Sequence, residues 1–350
     1  MRLRILLFIC SCSFGFCFSS ALAQQKSFKV FQINIWHETS SVPGGYKALI
    51  EEIIDKDADI VLLSEVNNRD GIDFVSRILQ DLKYKGHTYF GISNENSVDV
   101  ATLSKFPILE QHTLYEKENR QGQILKTKIN IYNHPIIFYS IHLDYTNYAC
   151  YLPRGYDGVT WKKMDAPITD AEKIQIANRK SKRDEAIKDL IADAKKEEKN
   201  YSIIIGGDFN EPSHLDWIEE NKNLYDRRGA VVPWDCSLLL HAAGYQDAFR
   251  VSYPNPLSHP GFTYPSFNPD VDILKLAWAP EADDRDRIDY IYFKPSNEKL
   301  KMESIFIVGP ESTVRYAKKQ DKDSEDSFLT PKNIWPSDHK GLLATFKLER

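Results

Sequence analysis

The sequence predicts an α+β fold running as one unit from residue 24 to residue 350, and three observations carry that expectation. Short apolar runs of strand character recur along the chain, stripes at helical spacing lie between them, and neither a fixed repeat nor a Pro/Gly/Ser-rich linker divides the 350 residues. In chain order, Phe28–Trp36 alternates as a strand, with Phe31, Ile33 and Ile35 on one face and Asn34 on the other. Tyr46, Leu49, Ile50, Ile53 and Ile54 then repeat at helical spacing. Asp59–Glu65 holds the run Ile60-Val61-Leu62-Leu63, which suits a strand buried on both faces. Asp70–Leu82 returns to a helical stripe through Ile72, Val75, Ile78, Leu79 and Leu82. Strands are expected near Thr88–Ile92, Val100–Leu103, Gln123–Tyr132 and Ile136–Asp144. One long charged helix is expected over Ala171–Ala194. Ile203-Ile204-Ile205 feeds a strand into Gly206-Gly207-Asp208, and Phe262–Tyr264, Ile288–Phe293, Ser304–Val308 and Leu342–Leu348 complete the strand set.

Composition narrows the class of partner. The chain is 42% hydrophobic and 27% charged, an ordinary globular balance, with 18 Tyr and 18 Phe to supply a β-rich core or a binding groove. Forty-five basic residues face 50 acidic ones, for a formal net charge of −5. That balance disfavours a protein built to coat nucleic acid, because such binding draws on cationic contacts to phosphates, though it leaves room for a local basic cleft.

Residues 1–23 read as a cleaved secretory signal. Arg2 and Arg4 form a positive start, an apolar run follows from Ile5 to Phe18, and Ala21-Leu22-Ala23 supplies a small-x-small cleavage pattern before Gln24. The run is too short and interrupted for a membrane anchor, and no later stretch is apolar enough to cross a bilayer. A lipid-modified Cys12 is a lesser alternative. The expected destination is therefore the periplasm or the extracellular space. Cleavage removes two basic residues and no acidic ones, leaving a net charge of −7, and takes Cys10, Cys12 and Cys17 with it. Cys150 and Cys236 remain, either as one disulfide or as two isolated core residues, and they lack zinc-ligand spacing.

The polar residues that could carry chemistry sit at strand ends. Asn34 closes the first strand and Glu65 the next buried one. His142 and Asp144 end the run Phe138-Tyr139-Ser140-Ile141, Asp208 and Asn210 follow the Ile203–Ile205 strand, Asp289 lies in Arg287-Ile288-Asp289-Tyr290, and Asp338-His339 precedes the last strand. Singly, each reads as a cap, a turn residue or an ion-pair partner. Together they are carboxylate and amide oxygens suited to a hard divalent cation, with imidazoles for proton transfer or charge stabilisation.

Ile33-Asn34, Leu63-Ser64-Glu65-Val66, Ser140-Ile141-His142-Leu143-Asp144, Gly206-Gly207-Asp208-Phe209-Asn210-Glu211-Pro212, Arg287-Ile288-Asp289-Tyr290 and Ser337-Asp338-His339, in that order, resemble the endonuclease/exonuclease/phosphatase superfamily. The resemblance spans nearly the whole chain after the signal. It implies a four-layered α/β sandwich with two central mixed β-sheets flanked by helices, and Mg²⁺- or Mn²⁺-dependent hydrolysis of a phosphoester. Position by position it implies Glu65 as the main metal carboxylate with Asn34 beside it, Asp208 as the group that orients or deprotonates water, and Asn210 as a phosphate contact. His142 and His339 resemble the histidines that meet the phosphate. Asp338 resembles a residue that orients His339 or contacts metal, Asp289 one that supports a histidine or the metal site, and Arg183 a structural arginine. One metal ion or two is left open.

Where the superfamily has a short connection, this chain carries an insert over 145–182, rich in Tyr and Trp with interleaved cations. Following His142, it is expected at the catalytic rim, with Tyr145, Arg154, Trp161 and Lys162 as substrate contacts, or else as a loop packing its own aromatics. The preferred substrate is a small-molecule, sugar/inositol or lipid-linked phosphoester. A secreted nuclease acting on DNA or RNA, with the insert as a stacking groove, is the alternative, and a non-catalytic binding protein on the same scaffold the second. No catalytic position is lost, which argues against the latter. The absence of an apolar hairpin argues against a sphingomyelinase.

Overall fold

The computed structural model describes residues 26–93, 99–114, 122–296 and 299–349; the signal-like segment, with Arg2, Arg4 and Cys12, lies outside the described residues. In chain order the elements are β1 (Lys26–Asn34), α1 (Gly45–Asp55), β2 (Ile60–Val66), α2 (Phe74–Tyr84), β3 (Asp99–Ser104), β4 (Ile108–Thr113), β5 (Gly122–Ile131), β6 (His134–Leu143), α3 (Ala171–Asn178), α4 (Arg183–Ala194), β7 (Ser202–Asp208), α5 (Asp235–Ala242), β8 (Gln246–Asp247), α6 (Ala248–Ser252), β9 (Asp289–Lys294), β10 (Leu300–Val308), β11 (Thr313–Arg315), β12 (Lys318–Gln320), β13 (Phe328–Leu329) and β14 (Gly341–Leu348). Two six-stranded mixed sheets, ordered β13-β10-β14-β1-β2-β3 and β4-β5-β6-β7-β9-β8, form the centre.

The layering follows from strand alternation. Val30, Leu62, Ala344 and Phe346 of the first sheet meet Phe138, Ile204, Ile291 and Phe293 of the second in a shared apolar core. The opposite face of the first sheet, through Phe31, Ile33 and Leu63, is covered by Leu49 and Ile53 of α1 and Ile78 and Leu82 of α2. Ile137, Tyr139 and Ile205 on the outer face of the second sheet are covered by Ile187 and Leu190 of α4 and Leu240 of α5. Helix, sheet, sheet and helix make the four expected layers. Gly206 faces the other sheet at close quarters: a Cβ there would lie 2.6 Å from Leu62 Cδ1. This explains why a glycine precedes the Gly207-Asp208 strand end.

The expectations for one helix and for two strands are corrected, and the alternative left open for the cysteines is decided. The single helix over Ala171–Ala194 is two helices, because Lys182 takes a left-handed conformation (φ 64) and breaks the run. Arg183 is thereby turned inward and donates to the carbonyls of Asp144, Thr146 and Asn147 and to Asn178 Oδ1, clamping both ends of the insert. Thr88–Ile92 and Phe262–Tyr264 are not strands; each contributes one isolated bridge, Phe90 to Ser104 and Tyr264 to Asp286. Both cysteines are free and buried, in separate clusters, so no disulfide forms. No described helix is long and apolar enough to cross a membrane.

The insert is a packed lobe. Tyr148, Tyr151, Leu152, Tyr156 and Ile174 bury themselves against Trp217, Trp234, Tyr264 and Ile288. Arg154, expected as a substrate contact, is instead only 2% exposed. It donates to Asp286 Oδ2 at 2.5 Å and to the Arg285 carbonyl at 3.1 Å. A guanidinium among aromatic rings needs a buried carboxylate beside it, and Asp286 is that partner.

Candidate active site

Strand register assembles the site. In the second sheet, His142 of β6 pairs with Asp208 of β7, and Asp208 pairs with Asp289 of β9, so the three lie in one row across adjacent strands. In the first sheet, Asn34 pairs with Ser64 at the ends of parallel β1 and β2. The pairing of β2 with β3 shifts register between Ser64 and Val66. Glu65 is the extra residue of this bulge, at φ 68, and the bulge re-aims its side chain to the rim. Both rows open into one cavity of about 410 Å³.

Asp208 is the centre of the arrangement. Its Oδ2 accepts from Asn34 Nδ2 at 2.9 Å and its Oδ1 from the Asn210 backbone N–H at 2.8 Å. His142 Nε2 and His339 Nε2 flank the same Oδ2 at 3.8 Å and 3.7 Å. Each imidazole is backed by a carboxylate on its other nitrogen: His142 Nδ1 donates to Asp99 at 2.7 Å, and His339 Nδ1 donates to Asp289 at 2.9 Å. Burial disfavours charge on both rings, but the surrounding carboxylates outweigh it, raising each pKa to about 10. Burial raises the Asp208 pKa, as does Asp289, against the lowering effect of the two histidines. Asp338 is pushed up to about 7 by burial and by its neighbours Glu65 and Asp208, against the opposing effect of His339. Glu65 is held below its ordinary value: burial works the other way, but His142, the His37 N–H, His339 and Asn34 outweigh it.

The loop after β1 braces this centre. Trp36, His37, Glu38 and Thr39 all adopt left-handed backbone, a costly run for residues other than glycine. It is held by Glu38, whose carboxylate accepts the backbone N–H groups of Asn67, Asn68 and Arg69. The run delivers the His37 N–H to Glu65 Oε2 at 2.5 Å.

The donors present fit a divalent cation. Glu65, Asp208 and Asp338 all line the cavity and offer it carboxylate oxygens, the ligand type a hard divalent cation takes. Asp208, Asp289 and His339 also bring ligand atoms within 4.8 Å of one another. Asp289, however, has one oxygen accepting from Gln32 Nε2 at 3.0 Å and the other on His339, which makes it the support of that histidine. Asn34, expected beside the metal, turns its amide nitrogen to Glu65 and Asp208 while its oxygen accepts from the Trp36 N–H. In this arrangement it bridges two carboxylates and does not present its oxygen as a ligand. Asn210 uses one side-chain N–H on the Leu143 carbonyl at 2.9 Å, which leaves the other for a ligand.

Of the insert residues, Tyr145 and Trp161 line the cavity; Arg154 is buried in its ion pair and Lys162 is exposed outside the lining. Sequence reasoning missed Asp99, Trp36, His37, Tyr264 and Trp278. Asp99 starts β3 with no local motif, and only the pairing of distant strands brings it to His142. Tyr264 stacks obliquely on His339, with ring centroids 4.8 Å apart, from a segment of irregular backbone.

A model of the endonuclease/exonuclease/phosphatase family matches residues 31–339. An uncharacterized protein of Caenorhabditis elegans is 26% identical, covering 97% of this chain and 98% of its own length. Among solved structures, D. rerio TDP2 complexed with a single-strand DNA product superposes with a TM-score of 0.53 at 14% identity, covering 91% of this chain and 98% of that one. Truncated C. elegans TDP2 gives 0.51 at 16% identity, over 92% and 97%. The six ordered motifs, the paired sheets that bring them to one rim and the match from β1 to the Asp338-His339 pair agree: the chain belongs to the endonuclease/exonuclease/phosphatase family.

Proposed function

We propose that this protein is a divalent-metal-dependent phosphoesterase that hydrolyses a small phosphoester, with Mg²⁺ or Mn²⁺ as its metal. The supporting observation is the symmetric placement of two carboxylate-backed imidazoles on either side of Asp208 Oδ2. A phosphoester anion repels an incoming oxygen nucleophile, so a hydrolase must neutralise charge and hold water in line. Asp208, fixed by Asn34 and Asn210, orients the water and takes up its proton. The two imidazolium Nε2–H groups and the remaining Asn210 N–H meet the phosphoryl oxygens as charge accumulates there. Glu65, with Asp338, would hold the cation, which when bound supplies Lewis-acid stabilisation of phosphoryl oxygen charge. From the signal-like pattern of residues 1–23 we place the enzyme outside the cytoplasm.

Hydrolysis of bis(p-nitrophenyl) phosphate and of a panel of sugar phosphates, inositol phosphates, phospholipids, DNA and RNA tests the reading. Turnover of a small ester is expected with Mg²⁺ or Mn²⁺, to vanish with chelator and to return when metal is restored. Turnover confined to DNA or RNA would instead select the nuclease alternative. Full turnover in chelator would overturn the metal-dependent mechanism.

A further inference from the structure

Part of the cavity lining is built from rings. Tyr148, Tyr151 and Trp161 of the insert pack against one another with centroids 5.0 to 5.9 Å apart. Trp278, from the loop that precedes β9, extends the wall by stacking obliquely on Trp161 at 5.1 Å and is 47% exposed. Trp278 joins the group through Trp161, and the insert rings meet one another edge-to-face or tilted, so the ring face open to a ligand is that of Trp278 with Trp161 beside it. Such a face receives one flat group by stacking.

The lining also carries four carboxylates, Glu65, Asp99, Asp208 and Asp338, and its described residues include neither lysine nor arginine. Carboxylates at that density repel any phosphate beyond the one that the imidazoles and the cation neutralise.

We infer that the substrate is an ester carrying one phosphate and one planar ring, with the ring on the Trp161–Trp278 face. A cavity of about 410 Å³ is of the size that encloses such a molecule. The inference deepens the phosphoesterase reading and rests on it. It commits the insert to selecting the group attached to phosphorus, with no part in the chemistry.

The test uses two ligands that cannot be hydrolysed, phenylphosphonate and methylphosphonate, which present the same anionic head with and without a ring. Their affinities are measured by titration calorimetry on the full chain with Mg²⁺. Phenylphosphonate is expected to bind the wild type about 5- to 150-fold more tightly, the range for one ring stacked on an aromatic side chain. That ratio should collapse toward one in W161A and in W278A; the half-exposed Trp278 gives a variant whose folding is not in question. Equal affinities in the wild type, or a ratio that survives both substitutions, would overturn the ring site while leaving the phosphoesterase reading intact. Failure of both phosphonates to bind would overturn the phosphoester site itself. Salt-sensitive binding of a single-stranded oligonucleotide tighter than that of phenylphosphonate would overturn the one-phosphate element.

Discussion

Asp208→Asn is expected to lower kcat about 10²- to 10⁴-fold, the range for removing a general base that also positions water. The substitution keeps the size of the side chain but replaces an acceptor with a donor amid donors. Oδ1 and Oδ2 presently accept from the Asn210 N–H and from Asn34, so one of the two contacts must be lost. The cost of that mismatch, about 1–3 kcal/mol, is offset chiefly because a neutral amide escapes the burial penalty that raises the Asp208 pKa, with relief of repulsion from Asp289 set against the lost attraction of the two histidines. Thermal melting should therefore stay within a few degrees of wild type while turnover collapses. His339→Ala should behave in the same direction, losing about 10²- to 10³-fold, because it removes one of two charged donors flanking the phosphate position. Loss of activity in proportion to loss of folded protein would make these residues structural.

The second large effect concerns Glu65. Glu65→Gln should cost several kcal/mol of transition-state stabilisation, or roughly 10²- to 10⁴-fold in rate, by depriving the cation of its main carboxylate. A readout independent of activity accompanies it. A ligand that binds only the folded state raises its melting temperature, so Mg²⁺ or Mn²⁺ should stabilise the wild type against heat and stabilise Glu65→Gln much less. The single amide oxygen can still accept the His37 N–H, while the contact from Asn34 Nδ2 is lost, so the loop after β1 should keep its left-handed course. An unchanged metal-induced shift in the variant would remove Glu65 from the metal site and leave Asp208 and Asp338 as the remaining oxygen donors.

How much of this was legible in the sequence depended on how local each feature is. Asn34, His142 and Asp208 at strand ends and Asp338-His339 before the last strand were readable because short polar residues beside an apolar run are a local pattern, and the order of those patterns pointed to the family. The pairing of His142 with Asp99 was not readable, since it depends on β5 and β6 lying against β3 across the sandwich. The bulge at Glu65 was hidden for a similar reason: one residue against none is a property of two strands, and Ser64-Glu65-Val66 alone looks like an ordinary strand end. Arg154 misled because a cation among tyrosines reads as exposed. Its carboxylate partner, Asp286, is more than a hundred residues away in the chain. The helix break at Lys182 carries no proline or glycine; it shows only in the structure, where it accompanies the inward turn of the Arg183 side chain that holds the insert.

Oxygen-isotope transfer tests the central claim most directly. If Asp208 aims water at phosphorus between the two imidazoles, hydrolysis of bis(p-nitrophenyl) phosphate in ¹⁸O-water must place one ¹⁸O in the phosphate product and none in p-nitrophenol. That labelling must depend on added divalent metal. Label in the phenol, or a first turnover that releases phenol while the phosphoryl group remains on the protein, would contradict direct attack by water at this site.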